Sequence, residues 1–321
     1  MLLANCLICT VRASPPRQSN NLLPSDRVRV GTRGSILAMW QARWVSEHLR
    51  SVIPDCSVEL VEIKTRGDEH QDLGSLPGMG HFTSELEAAL GEGRIDVAVH
   101  SLKDLPVDES VGVTVAAIPL RHDSSDSLVS SSGASLMSLA RGSRIGTGSP
   151  RRAALLASHR PDLDVVEIRG NVDTRIRKVD EGRYDAVVLA TAGLLRLGLE
   201  DRISEKLDVR EFPPAPGQGA LAVQMRDEDS ELHRVVKSLD NPDARVTSGA
   251  ERAFLRGLGG GCTLPVGAHA WREADQLKLL GFVGSNNSAP SLRAEVTGGD
   301  PQALGEKLAA YMLSAGARDL L

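Results

Sequence analysis

The sequence predicts an α/β protein in which two related α/β domains face one another and a small α+β domain follows. Three observations carry this. A strand–turn–helix rhythm starts near Arg29 and returns near Ile145, each time through a Gly-Thr turn, at Gly31-Thr32 and Gly146-Thr147. The segment Glu92-Gly93-Arg94-Ile95-Asp96 is echoed by Glu181-Gly182-Arg183-Tyr184-Asp185, in both cases at the head of an apolar run. The rhythm changes after Pro213-Pro214-Ala215-Pro216-Gly217-Gln218-Gly219, beyond which helices segregate from hairpin-like strands. Convergence of two βα units on one pattern is the competing explanation of the echo.

Residues 1–27 stand apart, with Pro15, Pro16 and Pro24 among Ser and Asn and no acid before Asp26. No basic residue precedes the apolar stretch 1–9, so a secretory signal fits poorly, and the segment reads as a disordered extension or an early start codon. Residues 28–30 are expected as a strand and 31–35 as a turn. The helix that follows should present Leu37, Trp40, Trp44 and Leu49 on one face. Val58, Leu60 and Ile63 mark a strand, and 65–80 a Gly/Pro loop. Ser84-x-x-Glu87 predicts a capping box opening a short helix that Gly91 and Gly93 end. Residues 95–99 and 111–120 read as buried strands. In the second half a strand ends at Gly146, Pro150 takes the first helical position, 165–168 is a strand, and Val172, Ile176 and Val179 mark a helix face. Residues 220–224 form a strand returning to the first domain. A helix from Asn241 (Ala250, Phe254, Leu258), strands near 266–270, 277–283 and 292–296, and a helix over 301–315 complete the chain. The expected domains are 28–120 with 218–240, then 121–217, then 241–321.

Composition excludes several classes of function. A net charge of −5 and 3% aromatic residues argue against a nucleic-acid binder, which needs a basic surface and stacking rings. No apolar run approaches the roughly 18 residues of a membrane span. Four irregularly spaced cysteines in 321 residues suit neither a disulfide framework nor a zinc ribbon, and the histidines show no ligand spacing, so no metal is expected. A reduced, cytoplasmic compartment follows. Thirty of the 37 basic residues are arginine. A GC-rich genome explains such a bias generally, whereas the planar fork of arginine also suits carboxylate or phosphate recognition, and position decides between the two.

Position favours recognition. His100-Ser101-Leu102-Lys103-Asp104-Leu105-Pro106 follows an apolar strand directly, and in open parallel sheets ligands sit beyond the carboxyl ends of strands. Asp104 there can serve as a general acid or base, or equally form a surface ion pair with Lys103. Gly146-Thr147-Gly148-Ser149-Pro150-Arg151-Arg152 sets two arginines at a helix N-terminus, where cations are disfavoured, so an anionic ligand is expected to compensate them. Arg33 occupies the equivalent turn in the first half, and Arg169 and Arg175 flank the next helix start, which together point to a polyanion in the cleft. Cys262, after three glycines, is held out as a reactive or modified thiol rather than packed.

Six motifs now belong together: Gly31-Thr32-Arg33-x-Ser35, residues 99–106, Arg151-Arg152, Arg169-Gly170-Asn171-Val172, Pro216-Gly217-Gln218-Gly219-Ala220, and Gly260-Gly261-Cys262-x-x-Pro265-x-Gly267. In that order the chain resembles the porphobilinogen deaminases (hydroxymethylbilane synthases) from Arg29 to its end. The resemblance implies two domains like periplasmic binding proteins facing across a cleft, and a third that carries the cofactor. It implies head-to-tail joining of four porphobilinogen molecules into a linear tetrapyrrole, with release of ammonia, on one covalent dipyrromethane per chain. By the same resemblance Cys262 attaches that primer through a thioether and Asp104 assists loss of the substrate amine and stabilises the cationic pyrrole. Arg33, Arg151, Arg152, Arg169 and Arg175 bind acetate and propionate groups, alongside Lys103, Ser35, Gln41, Thr147, Ser149, Asn171 and Gln218, and Phe82 packs near the pyrroles. The partners implied are porphobilinogen and the growing pyrrole chain, with no nucleic acid or membrane, on a monomer. A primer and four units bring about twelve carboxylates into one cleft, and buried carboxylates need partners. One departure is a shortened loop, residues 76–82, with Met79 where the family commonly has lysine.

Two other classes compete. A two-domain anion- or solute-binding protein explains an arginine-lined cleft but not Cys262 or Asp104. A cysteine hydrolase wants a histidine partner, for which His269 is the nearest candidate, with no third member evident.

Overall fold

The computed structural model describes residues 27–64, 83–108, 110–228, 230–261, 264–285 and 291–321. The expectations for residues 1–26, for the 65–82 loop with Met79 and Phe82, and for Cys262 lie outside the described residues. No described helix is long and apolar enough to cross a membrane.

Two five-stranded sheets share one plan. The first holds β1 (Arg27–Thr32), β2 (Ser57–Glu62), β3 (Val97–Ser101), β4 (Val113–Ala117) and β10 (Leu221–Arg226) in the order β2-β1-β3-β10-β4. The second holds β5 (Asp126–Ser130), β6 (Arg144–Gly146), β7 (Asp164–Val166), β8 (Ala186–Ala190) and β9 (Glu205–Lys206) in the order β7-β6-β8-β5-β9. In each, a first strand lies parallel between two others, and a strand that arrives from elsewhere in the chain runs antiparallel beside the third. The echoed segment has the same physical job in both. Gly93 and Gly182 take φ of +66° and +70°, which only glycine adopts without strain, to turn the chain into the strand. The acid that follows then latches the first strand: Arg29 N donates to Asp96 Oδ2 at 2.9 Å, and Arg144 N to Asp185 Oδ2 at 2.7 Å.

The third sheet, β11 (Val266–Glu273), β12 (Gln276–Val283) and β13 (Leu292–Gly298), is an antiparallel meander. Helices α7 (Pro242–Gly257) and α8 (Pro301–Ser314) cover it, packing Phe254, Leu304, Leu308 and Met312 against Ala268, Leu277 and Leu279. The chain therefore folds as two α/β domains and a smaller sheet-and-helix domain. A fully buried carboxylate ties all three: Glu251 on α7 accepts both terminal nitrogens of Arg121 at 2.9 Å, Gly217 N at 2.7 Å and Ala270 N at 2.9 Å.

Local expectations fail where one sequence pattern serves two purposes. Helix α1 (Ile36–Val52) buries Ala42, Val45 and Leu49, while Leu37 and Trp40 turn towards the second domain, where Trp40 stands 5.9 Å from the Arg196 guanidinium. Helix α2 (Ser84–Gly91) has Thr83, not Ser84, as its N-cap and no side-chain capping bond, so Ser84 and Glu87 form no capping box. Glu87 instead accepts Gln224 at 2.9 Å and Ser110 at 2.8 Å. Of 111–120 only 113–117 is strand, and Val111 and Leu120 are exposed. The remaining helices are α3 (Pro150–His159), α4 (Val172–Asp180), α5 (Thr191–Arg196) and α6 (Ser230–Lys237), the last two answering to no expectation from the sequence.

Candidate active site

The first domain supplies one wall of a cleft of about 270 Å³ between the two large domains. At the end of β1, Ser35 caps α1, its Oγ accepting Ala38 N at 3.3 Å. One turn on, Gln41 donates to Ser101 Oγ at 2.9 Å and so fixes the end of β3. The 3-10 turn Leu102–Asp104 follows. Lys103 donates to Gln218 Oε1 at 3.2 Å, and burial lowers its pKa to about 8 against the opposing pull of Asp104. Asp104 is exposed on the cleft, with no hydrogen bond or ion pair among the described residues. His100 is buried in the same wall. Desolvation lowers its pKa to about 4, leaving it neutral, and its Nε2 has no partner among the described residues.

The second domain supplies three of the cleft's arginines. Ser149 caps α3 through Arg152 N at 3.4 Å, and Thr147 Oγ1 accepts Ser149 N at 3.2 Å, so these hydroxyls serve the turn. Asp126, the fully buried first residue of β5, accepts Arg151 at 2.8 Å and Arg152 at 2.7 Å. The guanidiniums and Gln218 hold its carboxyl far below the usual carboxylate range despite burial, which alone would raise it. Arg151 and Arg152 thus share a single internal carboxylate, which balances one of their two positive charges and leaves the other uncompensated among the described residues. Gln218 lies between the walls, its amide donating to Asp126 Oδ1 at 2.9 Å while its carbonyl accepts Lys103.

Asn171, the N-cap of α4, makes no capping bond and faces the cleft. Gly170, at φ +111°, turns its carbonyl towards Arg175 Nε at 2.8 Å, and a Cβ there would strike Thr174 at 2.7 Å. Arg196, at the end of α5, donates to Gly219 O at 2.8 Å while its buried Nε has no partner among the described residues. Burial lowers the pKa of both Arg175 and Arg196 to about 10, with Arg152 and Arg169 adding to the effect at Arg175.

Nine of the residues singled out from sequence thus line one cleft: Asp104, Arg33, Ser35, Gln41, Lys103, Arg152, Asn171, Arg175 and Gln218. Arg151 and Thr147 are buried and, like the half-buried Ser149, do not line it, and Arg169 is exposed and paired with Glu167. Arg196, Asp126 and His100 were missed. Arg196 ends a leucine-rich helix without a glycine turn to mark it, whereas Asp126 gave a signal in being an acid at the head of an apolar strand.

An inter-domain cleft with five basic side chains (Arg33, Lys103, Arg152, Arg175, Arg196) and two acidic ones (Asp104, Asp173) defines a protein that handles a polyanionic ligand. The chain belongs to the porphobilinogen deaminase family. Residues 28–234 match the model for the porphobilinogen deaminase dipyrromethane cofactor-binding domain, and 246–314 match that for the porphobilinogen deaminase C-terminal domain. It is 46% identical over 298 residues to the porphobilinogen deaminase of Xanthomonas axonopodis pv. citri, covering 92% of this chain and 98% of that one. It is 44% identical to that of Syntrophus aciditrophicus, over 92% and 97% respectively. Among solved structures, the periplasmic VFT2 domain of Bordetella pertussis BvgS aligns at 17% identity over 68% of this chain and 91% of that one, with a TM-score of 0.40. The strand orders above, rather than that likeness, carry the fold.

The cleft fits the family's cofactor. A dipyrromethane bearing carboxylates requires donors that the fold has not already used, and the orphaned Nε of Arg196 and the desolvated guanidinium of Arg175 are two such groups.

Proposed function

We propose that this enzyme is a transferase that joins porphobilinogen units head to tail on a dipyrromethane attached through a thioether to Cys262, releasing ammonia. It acts as a cytoplasmic monomer with domain boundaries near 120, 217 and 240. The observation that carries the reading is the pairing, within one cleft, of an exposed carboxylate at a strand end with guanidiniums that lack a counter-ion. When bound, the dipyrromethane supplies the pyrrole terminus that accepts the next unit. Arg33, Arg152, Arg175 and Arg196, with Lys103, Ser35 and Asn171, bind the carboxylates. Arg151 and Gln218 act through Asp126. Asp104 lies where positive charge develops as the substrate amine leaves, and a carboxylate there lowers the barrier electrostatically. It also takes up or returns the proton at the pyrrole terminus. A solute-binding protein is not favoured, because the curated relatives are deaminases.

The test is the denatured intact mass of the purified protein beside a Cys262→Ala variant. An excess of two pyrrole units on the wild type that is absent from the variant is expected. A wild type that keeps its plain sequence mass after incubation with porphobilinogen would refute the reading.

A further inference from the structure

The turn that carries Lys103 and Asp104 is gripped from behind by the third domain. Arg252, on α7, donates from Nη1 to the carbonyls of Leu102 at 3.3 Å and Leu105 at 3.1 Å, and from Nη2 to that of Pro106 at 2.6 Å. One helical turn later Arg256 donates to Val107 O. A planar guanidinium with five N–H groups holds several carbonyls in a fixed relation, which a flexible ammonium does not. Asp104 has no side-chain partner of its own among the described residues, so the backbone beneath it sets where its carboxylate stands. That backbone is held through Arg252. Helix α7 ends at Gly257, five residues before Cys262 in the sequence. One helix therefore both fixes the acid's turn and leads into the segment that bears the thiol.

We propose that Arg252 is a positioning residue, which keeps the Asp104 carboxylate in register with the helix leading to Cys262. The inference rests on the role given to Asp104 above. It is tested with Arg252→Met and Arg252→Lys in the full chain, after intact mass has shown both to carry the cofactor. For Arg252→Met, kcat should fall about ten- to a hundredfold with KM within about twofold, the cost of displacing a reacting group by roughly an ångström. Amide exchange over 102–107 should quicken, and Arg252→Lys should fall between the two in both readouts. Should Arg252→Met fail to fold, Arg252→Lys decides alone by the same kcat-against-KM split and the same exchange. A loaded variant with wild-type kcat, or with unchanged exchange over 102–107, would overturn the inference. Failure of the underlying reading would show elsewhere, as a wild type that gains no mass and releases no ammonia.

Discussion

Two sets of arginines stand in the second domain, and the protein treats them in opposite ways. Arg151 and Arg152 are almost wholly buried and share one carboxylate, Asp126, with further donors on the carbonyls of Pro213 and Val188, although Arg151 Nε has no partner among the described residues. Arg175 and Arg196 donate to the carbonyls of Gly170 and Gly219, form no ion pair among the described residues, and have their pKa lowered to about 10 by burial. Burial of a guanidinium is thus no sign of a ligand site. A shared internal counter-ion ties Arg151 and Arg152 to the scaffold even though Arg152 also lines the cleft, whereas the lack of one marks a group waiting for it.

The largest expected effect breaks the scaffold side of that contrast. Asp126→Asn keeps the shape but leaves two buried cations facing each other, and removing one partner of a buried network costs about 3–5 kcal/mol. Urea unfolding of the cofactor-free protein measures it. A loss under about 1 kcal/mol would mean that the protein does not need Asp126 to tolerate Arg151 and Arg152. The opposite side is sharpened by Arg196→Met, for which stability should hold or rise slightly because a desolvated cation is removed. KM for porphobilinogen should rise about ten- to a hundredfold, as charge-assisted hydrogen bonds contribute about 1.5–3 kcal/mol. A destabilised variant with unchanged KM would move Arg196 to the scaffold class.

The contrast was half legible in the sequence. Lys103, Asp104, Arg33 and Arg175 follow strand ends or glycine turns, and such positions face the cleft whatever the side chains do. Arg151 follows the same rule in sequence but not in space, because the first turn of α3 points it inwards to an acid 25 positions earlier. Long-range pairing of that kind leaves no local pattern. The sheets were legible because the Glu-Gly-Arg-x-Asp echo encodes a left-handed turn and a latch, both local. The capping box failed for the converse reason: Glu87 is drawn off by Gln224, 137 positions away.

The smallest effect concerns Lys103, a cation of the opposite wall. Burial lowers its pKa to about 8, so the unbound protein loses this charge through the mildly alkaline range. The unfolded chain keeps a lysine near its ordinary value of 10.5 and therefore binds more protons between about pH 8 and 10.5. Stability consequently rises with pH through that window as far as this group is concerned, and an alkaline loss of activity cannot be unfolding driven by Lys103. It should appear in kcat/KM, which reports the free enzyme, as a decline of about tenfold for each pH unit above 8. Bound carboxylates favour the ammonium, so kcat should stay level further into the alkaline range. A guanidinium in its place would stay charged throughout, so Lys103→Arg should lose the alkaline limb while keeping the neutral-pH value within about threefold, given the different reach of the side chain. A limb that persists unchanged in Lys103→Arg would assign the titration to another group and leave the carboxylates to the arginines of the cleft.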